Sequence, residues 1–235
     1  LRWRAYTGRL ETHGAKVDLL GTGLRKRRLA DEGVPGGPGG VLKFGKKTFP
    51  TCCALSGDGV SLVTGSSEGF VEVWDASTRR LRKDLKYQAE DALMFHESQV
   101  RALALSRDDE LVGVGDASGA VVVWGLKSGR ALVTFPKAHA DAVSALAFVA
   151  DGSHLVSGAM DGTTQTLGLR SKTKIKSFHG HTSFITSLLP LGKERLLTGC
   201  ADGRIRLFSN ATGDCLRTIT PPPPTSISSA STIPS

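Results

Sequence analysis

Four segments of the chain repeat one grammar: an alternating apolar run, a tight turn ending on glycine, and a second alternating run. They read LVTGSSEGFVEVWD, LVGVGDASGAVVVWG, LVSGAMDGTTQTLGL and LLTGCADGRIRLFS. The turn glycines are Gly69, Gly119, Gly162 and Gly203, at spacings of 50, 43 and 41 residues. Trp74, Trp124, Leu167 and Phe208 each stand five residues later. A catalytic turn occurs once in a chain, whereas a building block recurs. Ser66, Ser67 and Glu68, which alone would pass for a nucleophile beside an acid, are therefore read as part of a hairpin.

Each hairpin is flanked by two further strand-like runs. Upstream stand PTCCALSGDG, VRALALSRDD, VSALAFVADG and ITSLLPLGKE; downstream stand LRKDLKY, ALVTFP, KIKSFH and CLRTIT. The unit is thus four short strands joined by tight turns, recurring about every 43 residues. Alternation of the VEVW kind buries one strand face against a neighbouring unit, and the turn glycine takes the positive φ that a tight hairpin needs. This period and layout resemble the WD40 repeat, which implies an all-β fold with one β-propeller blade per unit.

The histidines keep the same beat. His96, His139 and His181 lie four residues before Val100, Val143 and Ile185. In the WD40 pattern such a histidine joins a second-strand Ser/Thr, a turn Asp and a third-strand Trp in a buried relay. Each member of such a network would be costly if left unpaired. The resemblance assigns His139, Ser157 and Asp161 to the third unit, with Leu167 for Trp. His181, Thr198 and Asp202 go to the fourth, with Phe208 for Trp. The second unit keeps His96 and Trp124 but offers Val114 and Ser118 between them, and the first has Thr64, Glu68 and Trp74 without a histidine. These blades are expected to lean more on apolar packing than a consensus propeller does. The neighbouring pair His179 and His181 has no third ligand at metal-binding spacing and is read as a relay histidine beside a loop residue.

Charge and cysteines narrow the partners. The net charge of +8 resides almost wholly in the leader: residues 1–49 carry eleven Lys/Arg against four Asp/Glu, and residues 50–235 carry nineteen against eighteen. The body is therefore not a basic nucleic-acid surface, and RNA contact is expected to be weak or indirect. Cys52, Cys53, Cys200 and Cys215 lack ligand spacing, and adjacent Cys52 and Cys53 on a strand point to opposite faces, so reduced thiols are expected. No run approaches the roughly 18 to 20 apolar residues of a membrane span. With the repeat subtracted, no Ser/His/Asp set, carboxylate pair or phosphate loop remains. A non-enzymatic chain without cofactor, metal or small-molecule substrate is expected.

The expected domains are a leader and basic Gly-rich linker over 1–40, WD40 repeats over 41–220, and a Pro/Ser-rich tail over 221–235. Within the second, VLKF from Val41 is expected to act as a closing outer strand of the last blade. WD40 rings normally have seven blades, so the four units are read as part of a longer seven-bladed protein.

Two stretches go further than the generic repeat. VTGSSEGFVEVWDASTRRLRKDLKYQAEDALMF contains RKDLKYQAED within the extra residues of the first spacing, and the leader carries LRWRAYTGRL, KVDLLGTG and LKFGKKTF. Together they resemble the Smu family of WD40 splicing factors over most of residues 1–220. The resemblance implies a nuclear scaffold of the precatalytic spliceosome that works with spliceosomal proteins, a RED-like protein among them. That family's N-terminal LisH and CTLH helices and last three blades lie outside these residues, so their contacts are not carried over. Trp3 and Tyr6 are read as the end of a short leader helix packing on the propeller. The linker departs from the family in being more basic and richer in glycine. Its Arg25, Lys26, Arg27 and Arg28 read either as a nuclear localisation signal or RNA-phosphate contact, or as a solvated tether. Propellers bind through the loops at first-strand starts and hairpin turns. On that geometry Arg101, Asp141, Met160 and Phe184 are the expected partner contacts, with packing between blades the other reading of Phe184. A ubiquitin-ligase substrate receptor is the alternative; Ala76 and Ser77 after Trp74-Asp75, where such receptors often carry Arg, speak against it.

Overall fold

Alternation and glycine turns produce the sheets they predict. The computed structural model describes residues 16–18, 41–43 and 49–220. Strands β1 (Lys16–Asp18) and β2 (Val41–Lys43) pair antiparallel as a two-stranded sheet. Four four-stranded antiparallel blades follow. Blade one holds β3 (Pro50–Leu55), β4 (Ser61–Ser66), β5 (Phe70–Asp75) and β6 (Met94–Phe95). Blade two holds β7 (Val100–Leu105), β8 (Leu111–Asp116), β9 (Val121–Gly125) and β10 (Ala131–Phe135). Blade three holds β11 (Val143–Phe148), β12 (His154–Ala159), β13 (Thr164–Gly168) and β14 (Thr173–Phe178). Blade four holds β15 (Ile185–Leu191), β16 (Arg195–Cys200), β17 (Ile205–Ser209) and β18 (Cys215–Ile219). The first strands of successive blades are neighbours, β3 on β7, β7 on β11 and β11 on β15, so the blades radiate from an inner wall. Trp74, Trp124, Leu167 and Phe208 hold matching register positions opposite Leu62, Val112, Leu155 and Leu196.

Val41–Lys43 pairs with Lys16–Asp18, and the four described blades each have an outer strand of their own. One expectation is corrected: LRKDLKY does not form the outer strand of blade one. Leu81 makes one isolated bridge to Trp74, residues 86–89 wind into a helical turn α1 (Lys86–Ala89), and β6 supplies the outer pairing only at Phe70 and Val71.

Side chains explain this detour. The buried Gln88 amide accepts from Val73 N–H at 2.7 Å and donates to Val73 C=O at 2.9 Å, taking over the ladder bonds an outer strand would have made. Tyr87, also buried, donates its hydroxyl to Leu126 C=O of blade two at 2.9 Å. Its ring lies against Gly129, where any β-carbon would collide with it. Residues 81–93 thus form a strap fastening blade one to blade two.

The core lies between blades. Ten buried apolar residues, including Val71, Val73, Met94, Val112 and Val114, fill the first junction, and nine, including Val121, Val143, Leu155 and Leu167, the second. The third has five: Val149, Val156, Phe178, Leu196 and Phe208. The turn glycines have φ of 90°, 85°, 77° and 78°, which L side chains rarely adopt. At Gly69 and Gly119 there is a second demand, because a β-carbon would strike the carbonyls of His96 and His139 on the incoming loop.

Candidate protein-interaction face

Those carbonyl contacts define a face. In blades one to three the turn between second and third strands lies against the loop that enters the next blade. His96 N–H donates to Gly69 C=O at 2.9 Å and His139 N–H to Gly119 C=O at 3.1 Å. A second clasp ties each turn to the loop that enters its own blade: Ser67 to Phe49, Ala117 to Gln99, Met160 to Ala142 and Ala201 to Phe184, each an N–H on a carbonyl at 2.8–2.9 Å. Turns and entry loops are therefore held together around one rim.

The relay histidines pin this rim, each by different chemistry. In blade two, Trp124 Nε1–H donates to His96 Nε2 at 3.2 Å, which leaves the proton on Nδ1 facing Asp116 Oδ2 at 3.1 Å. Asp116 is thus the relay acid, correcting the assignment of Ser118 to that place. It stands two residues earlier in the turn, at the end of β8, and Ser118 instead donates from N and Oγ to Asp116 Oδ1. Burial works to raise the Asp116 pKa, but its bonds to His96, Ser118 and Ala120 hold it below the ordinary carboxylate value.

In blade three, His139 meets Ser157 Oγ at 2.8 Å and Thr163 Oγ1 at 2.9 Å. Thr163 gives its own hydroxyl proton to Asp161 Oδ1 at 2.6 Å, so it accepts from His139 Nδ1–H, and Ser157 donates to Nε2. Asp161 lies 3.7 Å from the imidazole and accepts Ala140 N–H. The four groups are brought together, with Thr163 as a member the pattern did not supply.

Blade four brings together His181, Thr198 and Asp202, and adds Arg206. This buried guanidinium donates to Asp202 Oδ2 at 2.9 Å and to His181 Nδ1. His181 must then carry its proton on Nε2, toward Thr198 Oγ1. Burial and the Arg206 charge both lower the His181 pKa, and burial lowers that of His139. Blade one, without a histidine, closes with Trp74 Nε1–H on Thr64 Oγ1 at 3.0 Å. Arg206 stands where blades two and three have Val122 and Gln165, so only an arginine at the buried register of a short strand hinted at it.

His181, Cys200 and Asp202 place three potential ligand atoms within 4.8 Å of one another. The Arg206 guanidinium already bonds two of the three groups in that cluster, Asp202 and His181, and Cys200 Sγ is engaged with Ser183 C=O and Asp202 N–H. His179 does not belong to it. The cysteines are free; Cys53 and Cys215 are exposed, and burial pushes the Cys52 thiol up to about 12.

Asp141, Met160 and Phe184 all belong to the clasped loops of this rim, and Met160 and Phe184 are 37 % and 39 % exposed. Arg101 has a distinct position. Every first strand carries a register irregularity after its first residue, leaving Thr51, Arg101, Ser144 and Thr186 as the bulged residues. Thr51 and Ser144 use that bulge to donate to Val100 and Ile185 carbonyls of the next blade, whereas Arg101 is exposed. Arg25, Lys26, Arg27 and Arg28, and Trp3 and Tyr6, lie outside the described residues.

A family profile described as the Vps8 beta-propeller matches residues 45–185, and one described as WD domain, G-beta repeat matches residues 172–209. The WD40 repeat-containing protein smu1 of Dictyostelium discoideum is 31 % identical over 224 residues, covering 94 % of this chain and 42 % of smu1. The U3 snoRNP-associated protein-like EMB2271 of Arabidopsis thaliana is 28 % identical over 170 residues, covering 67 % of this chain and 35 % of that protein. The chain thus spans less than half the length of either relative. The solved structure of U3-55K shares the fold, with a TM-score of 0.65 at 22 % identity over 75 % of this chain and 53 % of that one.

Proposed function

Because the chain belongs to the WD-repeat β-propeller family, we propose that it is a non-enzymatic scaffold whose rim recruits proteins of the nuclear pre-mRNA splicing machinery. The observation that carries the scaffold reading is the rim itself. Three sets of polar bonds fix its loops, and two large apolar side chains, Met160 and Phe184, stay exposed on it. Rigid loops presenting apolar anchors are the anatomy of a protein-binding surface. The splicing assignment rests on the match to smu1 and on the RKDLKYQAED stretch that resembles the Smu family. In this reading Arg101, Asp141, Met160 and Phe184 contact spliceosomal proteins, and a RED-like protein is a partner of the full-length family member. Arg25, Lys26, Arg27 and Arg28 direct nuclear import, and residues 1–40 serve as leader to a repeat domain over 41–220.

A second reading follows from the likeness to U3 snoRNP-associated proteins: recruitment to a small nucleolar particle in ribosome biogenesis. Affinity purification from nuclear extract separates the two. Splicing factors are expected with the parent chain, and their loss with Met160→Asp combined with Phe184→Asp. Recovery of U3 particle proteins in their place selects the second reading, and capture unchanged by the double variant removes the rim assignment.

A further inference from the structure

The near balance of charge over the repeats conceals a division. Residues 50–163 carry ten Lys/Arg against fifteen Asp/Glu, whereas residues 164–220 carry nine against three. The contrast is sharpest over residues 164–193, which hold five Lys/Arg and no carboxylate. Four of the five fall on the turn after β13 and on β14 itself: Arg170, Lys172, Lys174 and Lys176. β14 is the outer strand of its sheet, so one of its edges is unpaired. Lys176 is already engaged, its Nζ donating to the Ala211 and Thr212 carbonyls of blade four at 2.9 and 3.3 Å. Arg170, Lys172 and Lys174 are exposed, and none of the ion pairs among the described residues uses them.

The blade itself does not ask for these three cations. Blade two carries Lys127, Gly129 and Ala131 at the equivalent positions, and blade four carries Ala211, Gly213 and Cys215. Lys127 differs again in facing an acid, Glu110, at 3.9 Å. Lys172 has a φ of 57° where Gly129 and Gly213 have 62° and 90°, a conformation natural to glycine and strained for a residue with a β-carbon. A strained side chain that the fold could replace by glycine points to a use outside the fold. Blade one shares only the left-handed cation, Arg79, and has Leu81 in place of Lys174.

A groove of about 470 Å³ runs beside this edge, lined by Arg170, Ser171 and Ile175 together with Ser153 and His154 at the start of β12. Its floor is bare backbone at Gly168, where a β-carbon would come within 2.3 Å of Ser171 Oγ and 2.7 Å of Ile175 Cδ1. Ile175 is 48 % exposed, an apolar seat among hydrogen-bonding groups. All of these residues belong to blade three, which has a neighbouring blade on either side.

We propose that the outer edge of blade three binds an extended acidic segment of a partner protein. The segment's backbone pairs with the free edge of β14, its carboxylates meet Arg170, Lys172 and Lys174, and an apolar side chain rests on Ile175. Three observations favour a peptide over RNA. An unpaired strand edge presents N–H and C=O groups at peptide spacing. The groove contains no Phe, Tyr or Trp on which a base could stack. The acidic excess of residues 50–163 repels a long polyanion but not a short segment held at one edge. The turn after β13 lies at the opposite end of the strands from the rim, so the inference goes beyond the scaffold reading and does not depend on which proteins the rim recruits.

Fluorescence anisotropy on the full 235-residue chain tests it, with a labelled peptide alternating Glu and Val as the probe. Saturable binding is expected, weakened at least about tenfold by Lys172→Glu combined with Lys174→Glu. Lys127→Glu combined with Arg130→Glu, the same charge change on blade two, should leave it unaltered. Lys172→Gly separates binding from folding, because it installs the residue that this turn favours. It should keep or raise the urea midpoint while weakening the peptide by about two- to fivefold. No binding at about 100 µM protein overturns the proposal, as does an equal loss from the blade-two pair, which would mark a general charge effect. A uridine oligonucleotide that binds more tightly than the peptide and displaces it overturns the choice of a protein partner and gives the edge to RNA.

Discussion

The junction between blades one and two and that between blades three and four follow the same plan with different materials. The first has twice as many buried apolar residues as the last, and the strap adds to it through Tyr87 and Gln88. On the blade-three side of the last junction, Thr164 and Thr166 replace the valines found at 71 and 73 and at 121 and 123. Both hydroxyls are buried without a hydrogen-bond partner. Both joints carry a bulge clip, Thr51 on Val100 C=O and Ser144 on Ile185 C=O, and the last adds Lys193 on Asp151 at 2.8 Å and Lys176 on the Ala211 carbonyl at 2.9 Å. One repeat therefore tolerates either a thick, strapped apolar joint or a thin one helped by lysines. In a chain of modules that touch only their neighbours, stability is then graded along the sequence.

The largest expected effect tests that gradient. Phe208 packs its ring 5.3 Å from Phe178 and is almost fully buried in the five-residue core. Phe208→Ala should cost about 3–5 kcal/mol. Amide exchange should show β15–β18 opening while β3–β10 keep their protection. Simultaneous loss of protection in all four blades would show that the junctions are equally strong.

Next in size is the strap. Gln88→Met keeps the side-chain volume but strips Val73 N–H of its acceptor and leaves Val73 C=O with the Arg82 N–H alone, for an expected cost of about 1–3 kcal/mol. The opening should be confined to residues 76–95, read as faster exchange of Val73 and Ala92 amides. No change would mean that water replaces the amide without penalty.

The strap also shows where sequence reasoning fails. The four glycine-marked hairpins, their spacing and three relay histidines were legible because each is a local pattern repeated at a fixed period. LRKDLKY shows the same alternation as the true outer strands, and nothing local distinguishes it. What bends it away is a long-range fit, Tyr87 over Gly129 of the next blade. Asp116 was hidden differently: a carboxylate at the end of β8 reaches the same imidazole as one two residues later, so residue type was a better guide than aligned position. Arg206 gave only a faint signal, because the partners that make its burial tolerable come from a hairpin turn and an entry loop.

Smaller and opposite in sign is repair of the thin joint. Thr164→Val and Thr166→Val convert blade three to the residues that blades one and two carry at those positions. Each removes an unpartnered buried hydroxyl at almost constant volume and should stabilise by about 1 kcal/mol. Urea midpoints should rise for either substitution; a fall would reveal a partner for these hydroxyls and weaken the contrast between junctions.

The smallest effect is the pH response, and its sign follows from the relays. Burial depresses the pKa of His139, and burial with the Arg206 charge depresses that of His181, both below the ordinary value of 6.5. Between those depressed values and 6.5 the unfolded chain binds protons that the folded chain refuses, so acidification favours unfolding. This contribution is complete above the ordinary value and is lost as pH falls toward the native ones, at about 1.4 kcal/mol per unit of separation. Blade four has the clearer reason. His181 Nδ1 accepts from Arg206, and a proton there would set two cations face to face with only Asp202 between them. Blade one ties its second and third strands through Trp74 and Thr64, neither of which titrates. Amide protection in β11–β18 should therefore decline between about pH 7 and pH 5 before that of β3–β5 does. Equal decline in both would place the acid-sensitive groups outside the relays and leave the difference between the two joints a matter of packing alone.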